Sequence, residues 1–145
     1  MLRTLYEEGY INKSPEQMRV IITRRLLREI RDESQDNVDN LIEDYTMDRI
    51  TQAALLDLSD LLIDEMEIID EMLDKIDKAG TVNQEISANI PRLSSATILT
   101  GKGYESYHKA GEVNAKVFNE WVDNRVDKYR LVRELIDFYE EELVR

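Results

Sequence analysis

The apolar positions of this chain recur at helical spacing over most of its length. Met18, Ile22, Leu26 and Ile30 fall every four residues and form one stripe of an amphipathic helix. Ser14, Pro15 and Gln17 mark its start: a serine cap, a proline at the first helical position, and a glutamine placed to complete a capping box. The pattern predicts a helix from residue 15 to about residue 33, ended by the polar run Ser34-Gln35-Asp36-Asn37. A shorter helix over Leu2 to Glu8, stopped by Gly9, precedes it. A second helical region begins near Val38, pauses at Tyr45-Thr46 with Thr46 as cap, and then runs unbroken from Met47 to Ala79, where Gly80 stops it. At 1.5 Å per residue that last stretch is roughly 50 Å long. Leu55, Leu58, Leu62, Glu65, Ile69, Met72, Ile76 and Ala79 alternate along it by threes and fours, a heptad seam with one charged member.

Residues 80–111 are the least regular part, punctuated by Gly80, Pro91, Gly101, Gly103 and Gly111, with short helices expected around 95–100 and 104–110. A long helix resumes at Glu112. Phe118, Val122, Arg125, Tyr129, Val132, Ile136 and Tyr139 form its seam, again with one charged residue. These features predict an all-α protein. Residues 1–37 read as an N-terminal helical arm, and residues 38–145 as a body made of a long antiparallel helical hairpin with an irregular connection over 80–111. Two helices alone bury too little surface. The apolar set also spills past the seams at Leu56, Leu61, Ile63, Met66, Ile68, Leu73, Val117, Trp121, Val126, Leu131 and Leu135. That surplus predicts a homo-oligomer, a bundle or ring that hides the extra face between subunits. With Ala79 opposite Glu112, the charged seam members Glu65 and Arg125 meet as a pair that sets the register; the competing reading has both reaching out to solvent.

Charge changes the picture along the chain. Residues 1–31 carry seven basic and four acidic side chains, residues 32–80 three against sixteen, and residues 81–145 nine against eleven, for a net charge of −12. The arm is mildly basic and the body acidic. There is no cysteine, hence no disulfide or thiolate chemistry. No apolar run approaches membrane-spanning length and the first residues lack a signal core, so a cytoplasmic protein with no membrane partner is expected.

Little in the chain suggests catalysis. There is no phosphate-cradling glycine loop, no nucleophile elbow and no Cys/His cluster, and no cofactor or metal is expected. Glu105 and His108 have the E-x-x-H spacing of di-iron helices, yet the chain has a single histidine. Asp57, Asp60, Asp64, Glu67, Glu71 and Asp74 form an acidic stripe, either a solvated face or a dock for a basic partner. Only Glu71 and Asp74 have a lysine four residues on, Lys75 and Lys78. Arg24, Arg25, Arg28 and Arg31 lie away from the apolar stripe of the first long helix. Such a row can track phosphates or bridge to the acidic body.

From Ile68 to Trp121 the chain resembles the small terminase subunits of tailed bacteriophages. A long helix ends in Asp74-Lys75-Ile76-Asp77-Lys78-Ala79-Gly80, passes through Thr81-Val82-Asn83, and re-enters a helix at Asn114-Ala115-Lys116-Val117-Phe118. The resemblance covers about a third of the chain. It implies a ring-forming, non-enzymatic DNA-packaging adaptor that binds double-stranded DNA and recruits a large terminase. The chain departs from that family in its acidity and in having no recognisable N-terminal helix-turn-helix. Two functions follow as expectations. One is such an adaptor with the arginine row on DNA. The other is a structural or regulatory helical protein (virion connector, assembly chaperone or acidic inhibitor) that binds only protein.

Overall fold

The computed structural model describes residues 14–81 and 84–144, with side chains left undescribed at 84, 85 and 140–144. The short helix expected over residues 2–8 lies outside the described residues. Among those described, the chain is helical: α1 (Pro15–Thr46), α2 (Gln52–Ala79), the single turn α3 (Gln84–Ser87), α4 (Ile90–Lys109) and α5 (Ala115–Val144).

α1 opens as its sequence indicates. The Ser14 hydroxyl accepts from the Gln17 N–H, and the Gln17 side chain accepts from the Ser14 N–H, closing the capping box. The stop expected at residues 34–37 is absent, and α1 continues to Thr46. Ser34 stands four residues beyond Ile30 and Asn37 four before Leu41, so both extend the buried face of the stripe. Tertiary packing here overrides the weak helix preference of Ser, Asp and Asn. α2 correspondingly starts later than expected. Thr46 ends α1, its hydroxyl bonded back to the Ile42 carbonyl, and Thr51 caps α2 by accepting from the Ala54 N–H at 3.2 Å. Between them Asp48 takes a left-handed φ of 59°, a conformation Asp tolerates better than most residues. Gly80 ends α2 in the left-handed region, as expected.

The largest departure is α4. The two short helices expected within 80–111 are one continuous helix running through Gly101 and Gly103. These glycines serve close packing and not turns. A Cβ on Gly101 would run into the Arg125 guanidinium and the Tyr129 hydroxyl, and one on Gly103 would lie 2.8 Å from Leu61 Cδ1.

Because α4 carries the chain back along the body, the topology is an up-down-up-down four-helix bundle. α1 packs on α2 and on α5, and α4 packs on α2 and on α5. Arg31 meets Asp70 and Arg24 meets Asp77 across α1 and α2, so those helices run antiparallel. Tyr104 meets Trp121 and His108 meets Phe118 across α4 and α5, with the same result. α2 and α5 therefore point the same way, on opposite corners of the bundle. This replaces the antiparallel hairpin expected between them. Glu112 lies by Thr51 at the start of α2, not by Ala79: the Thr51 N–H donates to its carbonyl at 3.3 Å. With an Ile50–Val113 backbone bridge and the Asn114 N–H on the Arg49 carbonyl, this bond clasps two connections at one pole.

Two apolar clusters fill the bundle. Near the clasp are Leu41, Ile50, Ala54, Leu58, Leu62, Tyr104, Val117 and Trp121. Toward the other pole are Ile22, Leu26, Ile30, Ile69, Met72, Leu93, Leu135 and Tyr139 with their neighbours. The apolar surplus that suggested self-association is largely consumed here. Met66, Ile68, Val117, Trp121 and Leu135 are buried within the single chain, whereas Leu56, Ile63 and Val126 stay exposed.

Candidate functional site

Three features carry charge in unusual settings: a polar layer inside the bundle, the arginine row of α1, and the acidic side of α2.

The polar layer separates the two apolar clusters and takes residues from every long helix. They are Ser34 and Asn37 of α1, Glu65 of α2, Thr97 and Thr100 of α4, and Arg125 and Lys128 of α5, all buried. Lys128 Nζ donates to Glu65 Oε2 at 3.0 Å, with both side chains sealed from solvent. This contact joins the diagonal helices α2 and α5. Thr97 and Thr100 satisfy their hydroxyls on the carbonyls of Leu93 and Ala96, one turn back. Arg125, one turn before Lys128, donates to the Tyr129 hydroxyl and lies over the rings of Tyr104 and Tyr129, 5.1 and 4.9 Å from their centroids. Gly101 provides the room for that guanidinium. Burial pulls the Lys128 ammonium below its ordinary pKa, an effect that Glu65 opposes. Burial likewise lowers Arg125 and raises the Tyr104 phenol. Glu33, half-buried beside this layer, is raised first by burial and then by Asp36 and Asp127.

Glu65 thus pairs with Lys128 and not with Arg125. The expected pair assumed antiparallel helices; parallel diagonals bring residue 128 level with residue 65. The α5 seam shifts accordingly. Val132 and Tyr139 are buried as expected, yet Phe118, Tyr129 and Ile136 lie half-buried at the side and Val122 is exposed. The interior is lined by Val117, Trp121, Lys128, Val132, Leu135 and Tyr139. With the buried Arg125 counted, that column also steps by fours and threes, and the charged Arg125 and Lys128 within it disguised the core face. The α2 seam holds: Leu58, Leu62, Ile69, Met72 and Ile76 are buried, and Leu55 packs at the edge.

The arginine row is partly committed within the chain. Arg31 Nε donates to Asp70 Oδ1 at 2.6 Å and its Nη2 to Oδ2 at 3.3 Å, a two-pronged contact that raises the Arg31 pKa. Arg24 pairs with Asp77 at 3.2 Å, and Arg25 with Glu29 at 3.5 Å. Arg28 is exposed, with no side-chain partner among the described residues.

The acidic stripe of α2 is tied at its ends and open in its middle. Asp57 accepts from the Tyr107 hydroxyl, a bond that pushes the Tyr107 phenol up to about 12. Glu71 pairs with Lys75 and Arg92, which lower its pKa, and Asp74 pairs with Lys78. Asp60, Asp64 and Glu67 are exposed, and no described side chain pairs with them.

Glu105 and His108 do not come together as ligands. Glu105 is exposed, while His108 stacks on Phe118 with ring centroids 4.0 Å apart. Among the described residues no group of three His, Asp or Glu side chains is placed to hold a metal ion, and no helix is long and apolar enough to cross a membrane. No protein-family model, curated protein or solved structure matches the chain.

Proposed function

We propose that this protein is a non-enzymatic helical module that acts by binding another protein through its acidic face, and that double-stranded DNA is not its ligand. The carrying observation is the distribution of paired and unpaired charge. Arg31 and Arg24, half of the row suited to phosphates, are held by Asp70 and Asp77, whereas Asp60, Asp64 and Glu67 point outward unpaired. A chain of net charge −12 repels a polyanion at long range, and a cationic partner gains what DNA loses. The groups whose protonation burial shifts inside the bundle, Lys128, Arg125 and Tyr104, are enclosed by packing, so they serve the fold and not a substrate.

The packaging-adaptor reading draws on exposed Arg28 and on Arg25 beside it. A gel shift on duplex DNA, at low and at physiological salt, separates the two. The protein-binding reading expects no retardation, together with binding to a lysine-rich helical peptide that weakens as salt rises. Salt-sensitive retardation that disappears on changing Arg25 and Arg28 to Glu would restore the DNA adaptor.

A further inference from the structure

Resting on the acidic-face reading, we infer that the seam between α1 and α2, in the half of the bundle near the clasp, seats a basic helix of a partner protein on an exposed apolar ladder. The salt bridges of the other half fix where that ladder lies. Arg24 meets Asp77 and Arg31 meets Asp70 across the two helices. Continued by sevens, the α1 line reaches Val38 and Tyr45, and the α2 line, which runs the other way, reaches Ile63 and Leu56. The next two rungs are therefore Val38 beside Ile63 and Tyr45 beside Leu56. Ile42, one turn beyond Val38, widens the α1 side. Val38 is half-buried against the core, whereas Ile42, Tyr45, Leu56 and Ile63 are 51%, 39%, 55% and 40% exposed. Apolar side chains gathered in this way on one edge form a contact patch, which singly scattered ones do not.

Two arguments choose the occupant. The first is charge. Asp60 and Glu67 follow Leu56 and Ile63 by four residues each, exposed and with no partner among the described residues. Asp39, which accepts from Gln35, and Glu43 border the α1 side. No lysine or arginine occurs in residues 32–48 or 52–74, so every charge that α1 and α2 bring to the ladder is negative. The ladder ends where Arg31 bridges to Asp70, so the apolar seat and its acidic rim occupy the same half of the seam. A second copy offering the same edge would set acid against acid, so the partner is of opposite charge. The second argument is the repeat. Rungs seven residues apart stand roughly 10.5 Å apart at 1.5 Å per residue. A helix lying along the seam matches that spacing with apolar residues at i, i+3 or i+4, and i+7, and reaches both rims with Lys or Arg on its flanks. An extended peptide binds by adding to a sheet edge, and the described residues offer no strand to extend.

The test uses fluorescence anisotropy with a labelled, staple-stabilised helical peptide carrying Leu at that spacing and Lys on both flanks, at low and at physiological salt. A peptide of the same composition in scrambled order, and one with every Lys changed to Glu, are the controls. The ordered cationic peptide should bind best. Ile42→Ser with Leu56→Ser, one from each side of the seam, should weaken it roughly tenfold or more, as should Asp60→Lys with Glu67→Lys. Leu99→Ser with Val126→Ser, at equally exposed apolar residues of α4 and α5 away from the ladder, should leave binding unchanged. Circular dichroism checks that each variant keeps its helicity.

Equal binding of the scrambled peptide would overturn the ladder as a seat by reducing it to bulk attraction between charges. Full binding by the Ile42/Leu56 variant, or its loss in the Leu99/Val126 variant, would place the contact elsewhere and leave the acidic-face reading standing. Absence of binding by every cationic peptide, even at low salt, would sink that reading as well. Self-association abolished by the Ile42/Leu56 variant in sedimentation would make the occupant a second copy and defeat the proposal.

Discussion

Lys128 is the residue on which the interior turns. A lysine with no exposed surface is tolerated because Glu65 faces it at 3.0 Å, and a carboxylate alone in that layer would be equally costly. Buried pairs of this kind need not stabilise: separating two charges from water costs about as much as their attraction returns, while breaking the pair leaves one charge stranded. Lys128→Met is therefore expected to destabilise the bundle by about 3 kcal/mol or more, and Glu65→Leu by a similar amount. The double replacement should recover most of that loss or exceed the wild type, giving a large coupling energy in a denaturant-based double-mutant cycle. Additive losses would show that the two side chains act separately. Glu65 was legible in the sequence as a charge within an apolar seam. Its partner was not, because Lys128 sits in a column that the eye passes over in favour of the more apolar Phe118, Val122 and Tyr129.

At the scale of elements, the sequence was readable wherever a local signal has a local cause. The Ser14 capping box, the stop at Gly80 and the α2 seam all depend on residues within a turn or two of each other. It misled where distant packing decides. Ser34 to Asn37 carries a terminator's composition but is held helical by the core face on either side of it. Gly101 and Gly103 look like breakers, and their reason for being glycine lies in α5 and α2. Gly101→Ala tests this directly. Helix propensity alone would make it stabilising by about 1 kcal/mol. The new methyl must instead displace a buried guanidinium and the Tyr129 hydroxyl, and overpacking of this sort costs roughly 1–3 kcal/mol. A net loss near 1 kcal/mol is expected by thermal denaturation, and it should vanish when Arg125→Ala and Tyr129→Phe clear the space. A stabilised Gly101→Ala would mean that the close approach does not constrain α4.

For the whole molecule, the irregular connection with short helices expected over 80–111 has the widest consequence, since it leaves one long helix out of the count and so reverses the direction of α5 relative to α2. With α4 in place the bundle closes on itself, but its four sides differ in how they come together. α1 with α2, and α4 with α5, are joined by short turns, whereas the α1/α5 side unites segments far apart in the chain: Thr23 meets the Tyr139 hydroxyl 116 residues away, and Trp121 Nε1 donates to Asp44 Oδ2 across 77. That side carries the greatest loop-closure entropy and is expected to form after the folding barrier. Asp44→Asn and Thr23→Ala should then accelerate unfolding while leaving the refolding rate nearly unchanged. Equal slowing of refolding would instead put α5 in the nucleus. Trp121 is the chain's one tryptophan and sits on this last seam, so its fluorescence clocks the moment the ring shuts while circular dichroism follows the helices themselves.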